Sequence, residues 1–338
     1  MSALGRAPVK AGRQLHASRR LEVVTDQTVR PYRHEDAAHV TALLNAIEAA
    51  GGAGHQFAED EVRGLMARTQ ARALNTRLVV AGDGSLAAIG VAVPPRPGGA
   101  RAHAEGGVHP GHRGRGIGRA LLAWQFQRAV AQQVTQATRA PGAPWTIYVG
   151  AGTADTDAPR LFSRFGLRLV RYFLEMSAAT AGERPARLPE GLRTAAYTGD
   201  LRPAVHRAHA EAFADHWRWE PRSLDSWARR TVDSDLFRPD LSRVAFDGDQ
   251  LAGYLLAYDG AGGRLCLGQI GTRRPWRKRG LASALVADSL AAGARAGLAT
   301  ASLGVEADSL PGAVAAYERL GFSVRRSPYA AYARELLI

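Results

Sequence analysis

Two short stretches rich in glycine and arginine carry the residues best suited to bind an anion. The first reads HPGHRGRGIG over residues 109–118, and the second reads RRPWRKRGLA over residues 273–282. Aligned on Arg113 and Arg277, they share the spacing Arg-x-x-Gly-x-Gly/Ala. Glycine lets consecutive main-chain N–H groups turn to one side, and a helix that follows adds its own unpaired N–H groups. The pattern therefore predicts a ligand that carries phosphate.

Two other phosphate-binding patterns do not fit these stretches. A P-loop requires Gly-x-x-x-x-Gly-Lys followed by Ser or Thr, and neither stretch has that lysine. A dinucleotide fingerprint requires Gly-x-Gly-x-x-Gly, whereas GRGIGRA has a different spacing of its glycines. The arginine-led spacing is the pattern that remains.

An internal repeat supplies the elements that must position these loops. Each half reads as a strand, an amphipathic helix and a hairpin, and the hairpins turn at Asp83-Gly84 and at Asp247-Gly248. Each half then continues with a short strand, the glycine-arginine loop, a strong helix, a strand, a short helix and a closing strand. The sequence therefore predicts a mixed α/β fold made of two copies of one unit.

The domain boundaries follow from this repeat. We expect a first half over residues 28–180 and a second half over residues 190–338, joined by a segment at 178–191 that is rich in Ala, Gly, Pro and charge. Residues 1–27 fit neither copy and are expected to form a mobile basic tail.

The loop spacing, placed after a strand and before a helix, resembles the pyrophosphate cradle of the GNAT superfamily of acyltransferases. The resemblance covers nearly the whole chain apart from the tail, as two tandem copies. It implies two GNAT-like domains, each a mixed, mainly antiparallel splayed sheet flanked by helices. It also implies acetyl-CoA, or another short acyl-CoA, as the acyl donor and a small-molecule amine as the acceptor. The tandem arrangement is similar to members that acetylate a cysteinyl-glycosyl-inositol amine, and this acceptor stays open as an alternative.

The resemblance further implies which residues would hold the acyl-CoA. In each half the carrier would lie in a gap between the strand before the loop and the next strand, with its diphosphate on the loop. In the second half these residues are Ile270, Gly271, Thr272, Arg277, Lys278, Arg279, Gly280, Leu281, Ala282, Ser283 and Ser309. In the first half they are Val108, Arg113, Gly114, Arg115, Gly116, Ile117, Gly118 and Arg119.

The same resemblance separates the two halves by their chemistry. A tyrosine in a pattern that ends Tyr-x-x-x-Gly-Phe commonly protonates the leaving thiolate in this family, and YERLGF at 317–322 places Tyr317 there. The first half has Phe162 at that position, which has no proton to give. The second half is therefore predicted to catalyse direct attack in a ternary complex. The first half is predicted to bind cofactor inertly or to serve as scaffold.

The base that accepts the amine proton is left open among three side chains. Glu306 ends the strand after the second loop, and Asp215 and His216 follow the first helix of the second half, a segment that commonly lines the acceptor site in this family. Where relatives carry an acid on the strand before the loop, the second half has Cys266 nearby. In the first half Glu105 lies on that strand, which indicates either a relic or a first copy that still works.

Composition limits the remaining classes of function. The 338 residues are 46% hydrophobic, enough for two domains, and the single cysteine, Cys266, excludes a disulfide within the chain and a cysteine-based metal site. The net charge of +13 suits nucleic acid, but no recognised binding motif accompanies it, so no nucleic-acid partner is predicted. The absence of an apolar run near 20 residues predicts a cytoplasmic protein without a membrane segment. A non-catalytic acyl-CoA sensor stays open as an alternative to an enzyme, and the sequence leaves the oligomeric state open.

Overall fold

A computed structural model describes residues 27–52, 56–95, 99–135, 144–182, 184, 187–216, 219, 221–260, 262–306 and 312–336. The predicted tail, apart from residue 27, and the predicted cofactor residue Ser309 lie outside the described residues.

The first half follows the predicted order of elements and adds two helices before the hairpin. Its elements are β1 Thr28–Arg30, α1 Ala37–Gly51, α2 Glu59–Arg68, α3 Arg72–Asn75, β2 Thr76–Val80, β3 Leu86–Val93, β4 Arg101–Val108, α4 Ile117–Thr135, β5 Trp145–Gly152, α5 Asp157–Arg164 and β6 Arg168–Ala179. The added helices α2 and α3 lie in a segment for which the sequence predicted no element.

The second half repeats this order with one helix in place of α2 and α3 before its hairpin and with an added short strand before its closing strand. Its elements are β7 Leu192–Ala196, α6 Arg202–Phe213, α7 Leu224–Ala228, β8 Arg243–Asp247, β9 Gln250–Gly260, β10 Arg264–Thr272, α8 Leu281–Arg295, β11 Thr300–Glu306, α9 Ala313–Arg319, β12 Ser323–Val324 and β13 Tyr329–Leu336. Both predicted hairpins are confirmed: Gly84 and Gly248 take positive φ values of 84° and 54° at their turns. Glycine adopts such values without the steric cost that a Cβ brings.

The described strands form one continuous sheet of 13 strands. Its order is β1-β2-β3-β4-β5-β13-β6-β11-β10-β9-β8-β7, and β12 pairs with β6 off this path. Neighbouring strands are antiparallel except for the pairs β4·β5 and β10·β11, which are parallel. The predicted fold class, a mixed and mainly antiparallel splayed sheet flanked by helices, is confirmed.

The closing strands of the two halves are exchanged. The last strand of the first half, β6, pairs with β11 of the second half, with Thr300 opposite Ala179 and Glu306 opposite Phe173. The last strand of the chain, β13, pairs with β5 of the first half. The two exchanged strands then pair with each other at the centre of the sheet. Each half of the sheet is therefore completed by a strand from the other half of the sequence.

Helices cover both faces of the sheet and bury apolar stripes against it. In the second half, α8 packs its leucines, Leu285 and Leu290 among them, into the core beneath the sheet, while α6 and α7 bury Val205 and Trp227 on the opposite face. In the first half, α4 and α5 cover one face and α1 and α2 cover the other. Among the helices of the described residues, none has the length and apolar character needed to span a bilayer.

Candidate functional site

The two glycine-arginine loops have the same backbone conformation. The first cradle, residues 113–118, enters the left-handed region at Gly114 (φ 76°) and Gly116 (φ 82°). The second cradle, residues 277–282, does so at Lys278 (φ 60°) and Gly280 (φ 84°). Left-handed residues that alternate with right-handed or extended ones turn successive main-chain N–H groups to one side and form a concavity for anions. The long helices α4 and α8 begin directly behind the loops and add their unpaired N–H groups.

Lys278 takes the conformation that glycine has at the equivalent position in the first half. This conformation costs a residue with a Cβ about 1–2 kcal/mol. The Lys278 side chain is exposed, as are Arg279, Arg115 and Arg119, so their charges line the outer rims of the cradles. The second loop therefore retains the cradle conformation although its sequence does not favour it.

The remaining cofactor residues predicted for the cradles occupy the first helical turns. Leu281 and Ile117 are buried as the first residues of α8 and α4. Ala282 and Ser283 are half-buried behind Leu281. A Cβ at Gly118 would lie 3.5 Å from the side chain of Val108 and 3.4 Å from that of Leu161, at ordinary van der Waals contact, so this position has room for a small side chain.

The arginines that lead the two cradles are held by carboxylates of the chain. Arg113 forms an ion pair of 3.2 Å with Asp155. Arg277 forms one of 2.8 Å with Asp215 and also donates to the main-chain carbonyl groups of Ala212 and Thr272. Their guanidinium groups therefore tie the cradles to neighbouring segments. That these arginines also meet the pyrophosphate or the 3′-phosphate of acyl-CoA stays a prediction.

Both parallel strand pairs splay apart on the side of the cradles. In each pair the ladder contains three residue pairs, ending at His103 with Tyr148 and at Leu267 with Leu303. Beyond these residues lie the first gap, between residues 104–108 and 149–152, and the second gap, between residues 268–272 and 304–306.

The second gap contains the strand residues that were predicted to meet the cofactor. Ile270, Gly271 and Thr272 lie along it on β10. The Oε1 atom of Gln269 and the Oγ1 atom of Thr272 are buried there without a hydrogen-bond partner among the described residues. The edge of this gap therefore offers polar groups to a ligand.

Tyr317 lies on α9, half-buried against the core of the second half. Its ring meets Phe322 edge to face at a centroid distance of 6.0 Å and packs against the same core as Ile270 of the second gap. Burial raises the pKa of Tyr317 to about 12, because the phenolate would lose its hydration. The phenol is therefore protonated at neutral pH. In the first half, Phe162 is buried at the equivalent position on α5.

The three predicted bases have different surroundings. His216 stacks on Phe213 at a centroid distance of 4.4 Å, and burial lowers its pKa, against which the nearby charge of Glu306 acts. The Oε2 atom of Glu306 lies 4.0 Å from the Nε atom of Arg171, a residue of the exchanged strand β6. Asp215 accepts hydrogen bonds from Arg277 and Arg274, and these bonds lower its pKa. The structure therefore brings His216 and Glu306 within electrostatic reach of each other and occupies Asp215 with two cations.

A cavity of about 1010 Å³ opens in front of the first cradle. Glu105 of β4 lines it together with the whole first cradle, and desolvation by the surrounding walls raises the pKa of this carboxyl. Two further side chains of the cavity, Glu48 and Tyr329, had not been singled out from the sequence. Glu48 belongs to a helix whose pattern indicated only amphipathicity. Tyr329 comes from the opposite end of the chain and carries no motif.

Comparison with known proteins links the sequence to one enzyme family. The sequence model of the Acetyltransferase (GNAT) family matches residues 202–322. A mycothiol acetyltransferase of Clavibacter michiganensis subsp. michiganensis is 34% identical over 245 residues, which cover 69% of this chain and 72% of the relative.

Solved structures extend the similarity to the whole fold. A GCN5-related N-acetyltransferase from Sphaerobacter thermophilus superposes with a TM-score of 0.79 at 28% identity, covering 91% of this chain and 95% of its own. A tandem GNAT protein from the clavulanic acid biosynthesis pathway superposes with a TM-score of 0.66 at 19% identity, covering 92% and 98% of the two chains. The tandem GNAT protein therefore shares the fold of this chain.

Proposed function

The chain belongs to the GNAT family of acetyltransferases, and we propose that its second half transfers the acetyl group of acetyl-CoA to the amine of a small molecule. The observation that carries the proposal is the second cradle, which adopts an anion-binding backbone although it has to place Lys278 at a positive φ. Strain of this kind persists where the surrounding structure enforces it, and it concentrates at functional sites.

The second cradle suits the diphosphate of acetyl-CoA. A Cβ built on Gly280 would have no described atom within 4 Å apart from its chain neighbours and its own helix, so the loop is open to a ligand that approaches its main chain. Lys278 and Arg279 would add charge from the rim. When bound, acetyl-CoA supplies an acetyl carbonyl activated by its sulfur and a thiolate leaving group.

The second gap would hold the pantetheine arm. Beyond Leu267, β10 has no ladder partner on β11, so its main-chain groups on that side are available to bind the amides of the arm. The unpartnered oxygens of Gln269 and Thr272 offer two further acceptors along the same edge. These groups would place the thioester near the Tyr317 hydroxyl.

Tyr317 would protonate the departing sulfur. A phenol of pKa about 12 is a weaker acid than a thiol with an ordinary pKa near 8.5, so the transfer requires that burial raise the pKa of the leaving thiol as well as that of Tyr317. Burial keeps the proton on the phenol until charge develops on sulfur.

His216 is the base that we favour. Its lowered pKa leaves the imidazole neutral at pH 7 and able to accept a proton from the amine. Glu306 is close enough to stabilise the imidazolium that forms. Asp215 is less suited, because its lone pairs already accept hydrogen bonds from two guanidinium groups.

The acceptor amine has one specific candidate. The relative with 34% identity is named for mycothiol acetylation, which supports a cysteinyl-glycosyl-inositol amine as the acceptor. Other small amines, such as amino sugars, amino acids and polyamines, are the alternatives to be tested beside it.

The test combines binding and turnover on the full chain. Calorimetric titration with acetyl-CoA counts the sites, and mass spectrometry detects acetylated product over the panel of amines, since a cysteinyl acceptor would interfere with thiol reagents. The variant Tyr317→Phe should lower kcat at least about 100-fold for the best monoamine acceptor and leave the affinity for acetyl-CoA unchanged. Tyr332→Phe is the matched control, since this tyrosine packs on Phe162 in the first-half core.

Two outcomes would contradict the proposal. Binding of acetyl-CoA without acetylation of any amine would favour a non-catalytic acyl-CoA-binding protein. Full turnover of monoamine acceptors by Tyr317→Phe, with an unchanged pH profile, would remove the role of the phenol.

A further inference from the structure

The cavity of the first half is charged oppositely at its two ends. At one end the first cradle brings Arg115, Arg119 and the N-terminus of α4 to its wall, beside Asp157 and beside Asp155, which is ion-paired to Arg113. At the other end lie the carboxylates of Glu105 on β4 and Glu48 on α1. The wall between them includes apolar side chains of α1 and α2 such as Ile47, Leu65 and Met66. The cationic end suits a diphosphate, and the anionic end suits an ammonium group.

Glu48, Glu105 and Tyr329 meet on one side of the sheet, the side covered by α1. A Cβ at Gly107 would lie 3.2 Å from Ile47 of α1, and Glu105, two residues earlier on the strand, points to the same face. The Tyr329 ring lies over Gly150 of β5, where a Cβ would come within 2.3 Å of its hydroxyl oxygen. The phenol thus stands at the first gap, close enough to Glu105 and Glu48 for their charges to act on it.

Tyr329 supplies a proton donor at the first gap, where Phe162 offers none. Phe162 lines the cavity at the position of Tyr317 and has no hydroxyl. Tyr329 is 44% exposed and lines the cavity, so a ligand can reach it. Desolvation, followed by the charges of Glu105 and Glu48, raises the pKa of its phenol to about 12, which keeps the phenol protonated at neutral pH. The exchange of closing strands brings Tyr329 to this half, because β13 pairs with β5.

Glu105 supplies a base on β4, the strand before the first cradle. The equivalent strand of the second half, β10, has no carboxylate. Glu105 lies eight residues before Arg113 (113 − 105), and the residue eight before Arg277 (277 − 269) is Gln269. An amide cannot accept a proton from an amine at neutral pH, whereas a carboxylate with a raised pKa can. The two halves therefore carry different sets of reactive groups around the same cradle.

We propose that the cavity of the first half is a second acetyl-transfer site, in which Glu105 accepts the proton of a cationic amine and Tyr329 protonates the leaving sulfur. This inference rests on the proposed function. Glu105 first takes the extra proton of the ammonium group and passes it to solvent. The amine nitrogen then forms a C–N bond to the acetyl carbon as the C–S bond breaks. Its second proton goes to Glu105 while the Tyr329 hydroxyl gives its proton to sulfur, and solvent returns the proton from Glu105 to Tyr329.

Glu48 points to the class of acceptor. Two carboxylates at one end of the cavity suit a diamine, with one nitrogen at Glu105 and the second held as an ammonium ion at Glu48. The Glu48 charge would then act on binding of the diamine and not on the chemical step.

The experiment measures acetylation of 1,4-diaminobutane by the full chain with Tyr317→Phe, which should lower turnover by the second half at least about 100-fold. This chain should retain turnover. Adding Glu105→Gln should lower kcat at least about 100-fold, and Tyr329→Phe should lower it at least about 10-fold. Glu48→Gln should raise KM for the diamine about 10-fold at nearly constant kcat, the loss of one charged hydrogen bond. Tyr332→Phe, on the same strand as Tyr329, should change neither constant.

A second variant guards against a loss that arises from misfolding. Gly150→Ala keeps the Glu105 carboxyl and the Tyr329 hydroxyl but forces the Tyr329 ring to move, so it should lower kcat with acetyl-CoA affinity unchanged. Loss of all acetylation in Tyr317→Phe, while calorimetry still counts two acetyl-CoA per chain, would overturn this inference and leave the proposed function intact. An unchanged residual rate in Glu105→Gln and Tyr329→Phe would overturn it as well. A wild-type chain that acetylates no amine at all would overturn both.

Discussion

Asp215 and His216 are neighbours in sequence, yet their surroundings lower their pKa values for different reasons. Hydrogen bonds from Arg277 and then Arg274 stabilise the Asp215 carboxylate, whereas desolvation destabilises the His216 imidazolium. A carboxylate stabilised in this way is a weaker base than usual. A histidine that is neutral at pH 7 is available to take a proton. Residue type alone does not distinguish these two candidates.

Replacing Asp215 by Asn should therefore affect binding more than chemistry. The carboxylate ties Arg277 and Arg274 beside the second cradle, so its loss should raise KM for acetyl-CoA several-fold. Steady-state kinetics should show kcat within about fivefold of wild type, because removal of a general base typically costs about 10²–10⁴-fold. Asp233→Asn, which breaks the ion pair of Asp233 with Arg202 in the same half, is the control. A drop of about 100-fold in kcat for Asp215→Asn would make Asp215 the base.

The pH dependence of kcat should report His216. Burial holds its folded pKa below the ordinary value of 6.5, so the imidazole gains its proton, and kcat falls, only as pH drops below that value. Because the pKa of Tyr317 is about 12, no loss from this phenol is expected up to pH 9. Measured between pH 5 and 9 with saturating amine and acetyl-CoA, kcat should fall only on the acidic side, which gives one acidic limb. His216→Gln should lower kcat and remove that limb, and an unchanged limb in this variant would exclude His216.

At the scale of elements, α4 is joined to the sheet by a buried amide. The Nε2 atom of Gln125 donates to the main-chain oxygens of Val91 on β3, at 3.0 Å, and of Glu105 on β4, at 2.8 Å. Both carbonyl groups belong to the β3–β4 ladder, in which Val91 lies opposite Glu105. The amide therefore fixes the helix behind the first cradle relative to the strand that bears the proposed base.

Gln125→Leu should destabilise the fold by about 1–3 kcal/mol, since two carbonyl oxygens beneath the helix lose a donor. Urea unfolding measures the change in the free energy of unfolding. The control is Gln127→Leu, which makes the same change at an exposed glutamine on the same helix. Equal stability of the two variants would show that the Gln125 bonds contribute nothing net.

The sequence predicted the order of elements because each half repeats the same local signals. The turn at Asp83-Gly84, the cradle spacing and the helix of the YERLGF pattern depend on residues close together in the chain, and each lies where it was expected. Two features depend on distant residues. Lys278 takes a glycine conformation that its own type disfavours, and Tyr329 joins a cavity whose other walls lie more than 160 positions earlier (329 − 164, from Arg164).

The exchange of closing strands could not be predicted from the same signals. Both β6 and β13 follow a short helix and end their half of the repeat, so either could pair with β5 or β11. Local pattern fixes which residues of a strand face the core but does not choose its partner. The pairing partner of each closing strand depends on the whole molecule, because the two linked halves can exchange equivalent strands.

For the whole molecule, the exchange should make the two halves inseparable without unfolding. The first half supplies β6 to the second, and the second supplies β13 to the first, so the described sheet has no break at the join. Withdrawal of one half would expose the edges of β5 and β11 and the apolar residues beneath them, among them Trp145 and Leu303. A covalent cut at the join removes only the connection, not the pairing.

A protease site inserted between Gly182 and Arg187 tests this expectation. After complete cleavage, the two fragments should co-elute from a size-exclusion column at the position of the uncut chain and should separate only in denaturant. The same site placed in the turn at Asp83-Gly84 is the control for local damage. Because Tyr329 reaches the first cavity through β13, the nicked protein should also keep the diamine activity of that cavity. Fragments that elute separately in native buffer would mean that each half can close its own sheet, and Tyr329 would then leave the first cavity.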